Sequence, residues 1–272
     1  MFDKKEVAEI ILARLSENRK FLAESFSEIS SGTATRYFVL DDLLPKELTV
    51  DTYKGFPSRD LYNLRDTFRE RKLTFAKLDN LSSALPGIVT DSFHDPRLIK
   101  LVGEIVNMPD LEGDLSLYAG GLSRMDKTHF LNPHIDNSHD ADRKRYRRLN
   151  LLFYVTPDLE EQDGGSFELW DQQVKKPCRI AAKFNRLVVM ETNQTSWHSV
   201  VPIVSDKPRC CLSNYYFSEQ SPTGQDYYHV TSFLGRPGQS GRRIYGRIDN
   251  FMRQKVANVL GISRGKGLNR FG

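Results

Sequence analysis

The chain has 272 residues, 39% hydrophobic and 11% aromatic, which is ample for a buried core in one large domain or two small ones. No apolar run approaches the ~18 residues that a membrane span requires, and the three cysteines, Cys178, Cys210 and Cys211, are an odd count without metal-type spacing, which argues against a disulfide framework. The formal net charge of +4 hides an asymmetry: residues 235–272 carry nine Lys or Arg against one acid, Asp249, a net +8 that leaves the rest of the chain at −4. That basic end is either solvated or suited to an anionic partner, with nucleic acid the less favoured choice.

Taken in order, residues 4–28 predict a helix, because Val7, Ile10, Ile11, Leu15, Leu22 and Phe26 recur near helical spacing with charges between them. Residues 35–41 read as a strand, and the stretch to about residue 75 is polar and mixed. Asp95 as N-cap and Pro96 at the first helical position open a second helix reaching about Asn107, with Leu98, Ile99, Val102 and Ile105 or Val106 inside. His94, in that cap region, reads as structural. A strand series begins at Leu115, interrupted by Gly120 and Gly121.

The series leads into Asn132-Pro133-His134-Ile135-Asp136. In an extended strand His134 and Asp136 share a face and Ile135 points away, which makes a two-ligand clip for a metal. Of the other histidines, His198 is the nominated third ligand, since it opens a strand-like segment after the apolar residues 186–191; His139, in a loop, is the weaker candidate. Two neutral imidazoles and one carboxylate on one face of an octahedral ion are the ligand set of non-haem Fe(II) oxygenases. Eleven residues past His198, Arg209 begins a strand on which Cys211, Ser213 and Tyr215 share its face, and its guanidinium is suited to bidentate capture of a carboxylate. The expected ligand is a dicarboxylate with one end on iron and the other on Arg209.

Residues 137–148, dense in Arg and Lys, form a loop that gates the site, grips an acidic substrate or is simply solvated. In 149–155, Asn150, Leu152 and Tyr154 share one face of a buried strand. Asp163-Gly164-Gly165 is a tight turn into the strand 166–170, and 174–184 and 186–190 continue the sheet. Trp197 should face away from the metal. Residues 242–260 read as a terminal helix with Ile248, Met252 and Val256 along one side; Gly261 fits its end, and the last residues, rich in Gly and Arg, read as loose.

From about Leu115 to Phe217 the chain resembles the Fe(II)- and 2-oxoglutarate-dependent dioxygenases of the prolyl-4-hydroxylase-like branch. The resemblance rests on PHID at 133–136, LNLLFYVTP at 149–157, DGGSFELW at 163–170, NRLVVMET at 185–192, SWHSVVPI at 196–203 and RCCLSNYYF at 209–217. It implies a mainly β fold, a double-stranded β-helix of the jelly-roll, cupin-like kind with core strands at about 115–217, flanked by helices at 4–28, 95–107 and 242–260. It also implies His134, Asp136 and His198 as iron ligands, Arg209 on the distal carboxylate of 2-oxoglutarate, and Tyr154 beside that carboxylate. Where the family commonly has a Tyr about ten residues before its first iron histidine, this chain has Arg124 and Met125. The implied cofactors are Fe(II), 2-oxoglutarate and O2, with ascorbate a candidate reductant.

The implied activity is hydroxylation of an unactivated C–H bond in a small molecule, sugar, amino acid or peptidyl residue, with release of succinate and CO2. The same iron site performing desaturation, epimerisation or cyclisation is an alternative, and a non-catalytic jelly-roll binding module is another. The absence of an apolar secretory core near Met1 and the cysteine usage predict a cytoplasmic protein. With no linker or repeat, residues 1–272 read as a single domain.

Overall fold

The computed structural model describes residues 2–29, 32–118 and 120–260. Helix α1 (Lys4–Glu17) starts on a reciprocal cap in which Asp3 and Glu6 each accept the other's backbone N–H at 2.8 Å. The helix expected over 4–28 is two. Asn18 donates its side-chain amide back to the Arg14 carbonyl at 2.8 Å, and the chain restarts as α2 (Arg19–Ser27). Both still contribute to one apolar stripe of Val7, Ile11, Leu15, Leu22 and Phe26. Downstream, α5 (Pro96–Val106) is capped by Asp95, which accepts from Arg97 N–H at 2.9 Å, and stops at Asn107 in the left-handed region, φ 55°.

The strands are β1 (Tyr37–Asp41), β2 (Asn63–Asp66), β3 (Glu70–Phe75), β4 (Glu112–Gly113), β5 (Gly121–Met125), β6 (Phe130–Ile135), β7 (Tyr146–Tyr154), β8 (Phe167–Trp170), β9 (Pro177–Ile180), β10 (Arg186–Glu191), β11 (His198–Val200), β12 (Arg209–Ser218) and β13 (Ser232–Phe233). They form one antiparallel sheet whose main path runs β1-β10-β7-β12-β5-β3-β6-β11-β8-β9, curled into a jelly-roll half-barrel with helices outside. Strand alternation separates two cores. Leu149, Leu151 and Phe153 of β7, with Leu212 and Tyr216 of β12, pack outward against the helices. Tyr154 and Cys211, from the same strands, face inward with Met125, Phe167, Val188 and Phe233.

The stretch expected to be polar and mixed is structured: it holds α3 (Lys46–Lys54) and the β2–β3 hairpin, and α4 (Leu85–Ser92) follows. Strand β3 pairs with both β5 and β6 and so belongs to the barrel wall. Strand β13, also absent from the sequence reading, pairs with β6 and lays Phe233 opposite His134. The terminal helix α6 (Ser240–Leu260) begins close to its expected position, but Ile248, Met252 and Val256 are 61%, 55% and 48% exposed. Polar contacts hold it instead. Asn250 exchanges hydrogen bonds with both backbone groups of Phe233, and Gln254 bonds Val230 N–H and the Tyr228 carbonyl. Gly261 and the Gly- and Arg-rich residues after it lie outside the described residues. Among the described residues, no helix is long and apolar enough to cross a membrane.

Phe153 is fully buried between the sheet and the helices. Its replacement by Ala should cost about 3–5 kcal/mol of stability, read as a lower urea midpoint with an unchanged slope.

Candidate active site

The antiparallel register of β6 and β11 sets His198 directly opposite His134, with ring centroids 4.0 Å apart. Asp136 follows β6 immediately. The donor atoms of these three residues all lie within 4.8 Å of one another. His134 Nδ1 is 3.0 Å from the Asn132 carbonyl and His198 Nδ1 is 2.9 Å from the Ser196 carbonyl. A carbonyl oxygen can only accept, so each ring carries its proton on Nδ1 and leaves the Nε2 lone pair free. Those nitrogens face Asp136: His134 Nε2 is 3.7 Å from Oδ1, and His198 Nε2 is 3.5 Å from Oδ2.

Burial first, and the neighbouring His198 second, lower His134 to about 3; burial likewise lowers His198. Both rings are therefore neutral at physiological pH, as metal ligation requires. Burial opposes ionisation of Asp136, but its neighbours, the Arg147 cation foremost, outweigh it and hold the carboxyl well below its usual range.

Arg209 opens β12 inside the same cavity, of about 100 Å³, which His134, Asp136 and His198 also line. Its Nε–H donates to the Gly165 carbonyl at 2.9 Å and its Nη2 to the Tyr154 hydroxyl at 3.1 Å. No carboxylate pairs with Arg209 among the described residues, although it is buried. Gly165, at φ 76°, makes room for it: a Cβ there would lie 2.7 Å from Ile203 Cδ1 and 3.0 Å from Arg209 Cδ. Tyr154 stands behind Arg209 rather than on the cavity wall, and burial pushes its phenol up, so it remains a neutral hydroxyl. Trp197 packs away from the site with Trp170, Val174 and Leu234.

Sequence reasoning missed Arg147, Lys72 and Thr74. The last two line the cavity from β3. Arg147, expected in a loop, lies in β7 with its Nη1 3.2 Å from Asp136 Oδ2. A register shift hides it. Leu149 pairs with Tyr216 and Arg147 with Phe217, so Arg148 is an extra residue and Arg147 joins the inward face of Asn150. The rest of the basic run is largely engaged: Arg145 pairs with Asp140 and Glu112, Arg148 donates to the Gln220 carbonyl, and Arg143 stacks over Tyr228. His139 bonds Ser138 and packs at a tilt against Tyr146, apart from the three converging residues.

The model of the 2OG-Fe(II) oxygenase superfamily matches residues 120–217, the span that carries all of these cavity residues except the two from β3. Within it the likeness is to the prolyl-hydroxylase branch. Prolyl 3-hydroxylase OGFOD1 of Xenopus laevis is 31% identical over 103 residues, which cover 35% of this chain and 20% of that protein, so the chain spans about a fifth of the relative's length. Two solved structures share the fold. A prolyl hydroxylase from Trichoplax adhaerens, in complex with a hypoxia inducible factor peptide fragment, has a TM-score of 0.54 at 14% identity and covers 76% of this chain and 93% of its own. Prolyl 4-hydroxylases from Phytophthora capsici give 0.53 at 20%, covering 92% and 77%.

The cofactors that go with this family are Fe(II), 2-oxoglutarate and O2, and the residues fit them. Two neutral imidazoles with one carboxylate suit a borderline divalent ion. A buried guanidinium without a protein carboxylate suits the far end of a dicarboxylate.

The lowered His134 has a consequence for the metal-free protein. Its unfolded imidazole takes a proton near 6.5, whereas the folded one resists to about 3. The unfolded state therefore binds more protons between those values, and stability should fall as pH drops through that window. Urea melts across pH should show this loss, and His134→Gln should remove only its own share of it, since His198 and His229 are lowered by burial as well.

Proposed function

We propose that this oxygenase hydroxylates an unactivated C–H bond, using His134, Asp136 and His198 to hold Fe(II) and Arg209 to hold the distal carboxylate of 2-oxoglutarate. The observation that carries the reading is the meeting of all four side chains in one cavity of about 100 Å³. When bound, the iron, 2-oxoglutarate and O2 supply the oxidation: one oxygen atom goes to 2-oxoglutarate, giving succinate and CO2, and the other to the substrate carbon. The protein's part is positional. Arg209, braced by Gly165 and Tyr154, orients the cosubstrate, and Leu131, Leu152, Phe167 and Val200 line the cavity with apolar surface that limits water beside the reacting carbon.

For the substrate, the names of the relatives favour a peptidyl prolyl residue. We further propose that residues 1–272 act as a single domain and that the protein works in the reducing cytoplasm; its three cysteines are all free thiols. Anaerobic titration with Fe(II) and 2-oxoglutarate, followed by a succinate-release screen over prolyl peptides, free amino acids and sugars, tests the reading.

Asp136→Ala should abolish 2-oxoglutarate turnover in purified, folded protein; succinate release surviving at the unaltered rate would remove Asp136 from the ligand set. Arg209→Ala should weaken 2-oxoglutarate binding by about 1.5–3 kcal/mol, roughly ten- to a hundredfold, in a calorimetric titration. Unchanged affinity would assign the distal carboxylate to another residue.

A further inference from the structure

Asp136 has two unlike oxygens. Oδ2 accepts from Asn150 Nδ2 at 2.8 Å and is ion-paired with Arg147 Nη1 at 3.2 Å. Oδ1 accepts no hydrogen bond among the described residues. Arg147 is itself immobilised: it is buried, its guanidinium lies 4.2 Å from the Tyr215 ring centroid, and its Nη2 donates to the Asn137 amide oxygen at 3.1 Å. A buried cation is costly unless it is paired, and the partner here is the carboxylate that also faces both histidines.

We propose that Arg147 is a positioning residue that, with Asn150, occupies Oδ2 and so leaves Asp136 a single oxygen to offer the metal. The inference rests on the iron reading above. Its consequence is a coordination face kept open for the cosubstrate. His198 Nε2 lies 3.5 Å from Oδ2 and His134 Nε2 lies 3.7 Å from Oδ1, so both oxygens border the space between the imidazoles. Released from Arg147, the carboxylate can present both oxygens to an ion. A second oxygen on the metal takes a position that 2-oxoglutarate would chelate. The Arg147 cation also adds to the positive potential that an incoming dicarboxylate meets, while it opposes binding of the metal cation itself. Its removal should therefore separate two affinities that a general loss of structure would lower together.

The test uses Mn(II) alone and then 2-oxoglutarate on the Mn(II)-loaded protein. Arg147→Met should bind Mn(II) at least as tightly as the unaltered protein. Its bound Mn(II) should enhance water-proton relaxation about a third less, because one of about three open positions on a six-coordinate ion is lost. It should bind 2-oxoglutarate about tenfold more weakly. Arg147→Lys, which restores the charge but not the fork, should recover part of that loss. Asn150→Leu, which frees Oδ2 from its other donor, should shift the same readouts in the same direction, and it decides the matter if Arg147→Met fails to fold. Relaxation and 2-oxoglutarate affinity unchanged in the folded variants, or metal and cosubstrate affinities falling in parallel, would overturn the assignment. An unaltered protein that binds no Mn(II) would instead overturn the iron reading beneath it.

Discussion

The register of two short strands is the constraint on which the rest depends. Strand β11 has three residues, and a slip of one against β6 would turn His198 to the opposite face from His134. Three residues cannot fix a register by backbone pairing alone, and the side of β11 facing away from the histidine supplies the lock. Ser199 donates to the fully buried Glu168 at 2.6 Å and accepts from the Trp170 indole at 2.8 Å. Glu168 is paired in turn with Arg236 and Arg179, and Arg236 donates to the Val200 carbonyl at 2.9 Å. A buried carboxylate with two cations and a hydroxyl is well satisfied only when β8 and β11 are correctly aligned.

The interior sorts its guanidinium groups by whether a carboxylate is provided. Buried Arg147 has Asp136, and half-buried Arg236 has Glu168. Arg209, as buried as Arg147, rests on neutral partners, a carbonyl and a phenol, which orient it without cancelling its charge. Within one barrel the difference between a cation whose charge the protein answers and one left without a carboxylate is thus visible in its neighbours.

Much of this was legible in the amino-acid order, and the remainder was hidden for identifiable reasons. Alternation placed Arg209, Cys211, Ser213 and Tyr215 on one face, and placed Asn150 and Leu152 on another that meets it, because β7 and β12 are regular over those residues. The same rule failed two residues before Leu149, where the extra Arg148 inverts the phase and carries Arg147 inward. The β2–β3 hairpin escaped notice because its alternation is written in charges: Glu70 is buried yet answered by Arg65 and Lys72, so the segment lacks the apolar rhythm of a strand. Strand β13, two residues long, is too short for any periodicity to register. The expected helix at residues 4–28 divides at Asn18, a residue whose amide competes for helical carbonyls.

The attachment of α6 ties the far end of the described chain to the metal pocket. Phe233 stacks on the His134 ring with centroids 5.2 Å apart, and the outer edge of its strand is covered by Asn250 and Gln254 rather than by another strand. Without the helix, that edge would present unmatched amides and carbonyls to any passing extended peptide, and the imidazole beneath would lose the backing of its aromatic neighbour. Shortening the polypeptide ahead of residue 240 is therefore a change to the wall behind His134 and to colloidal behaviour at once, however remote from that pocket the deletion looks on paper.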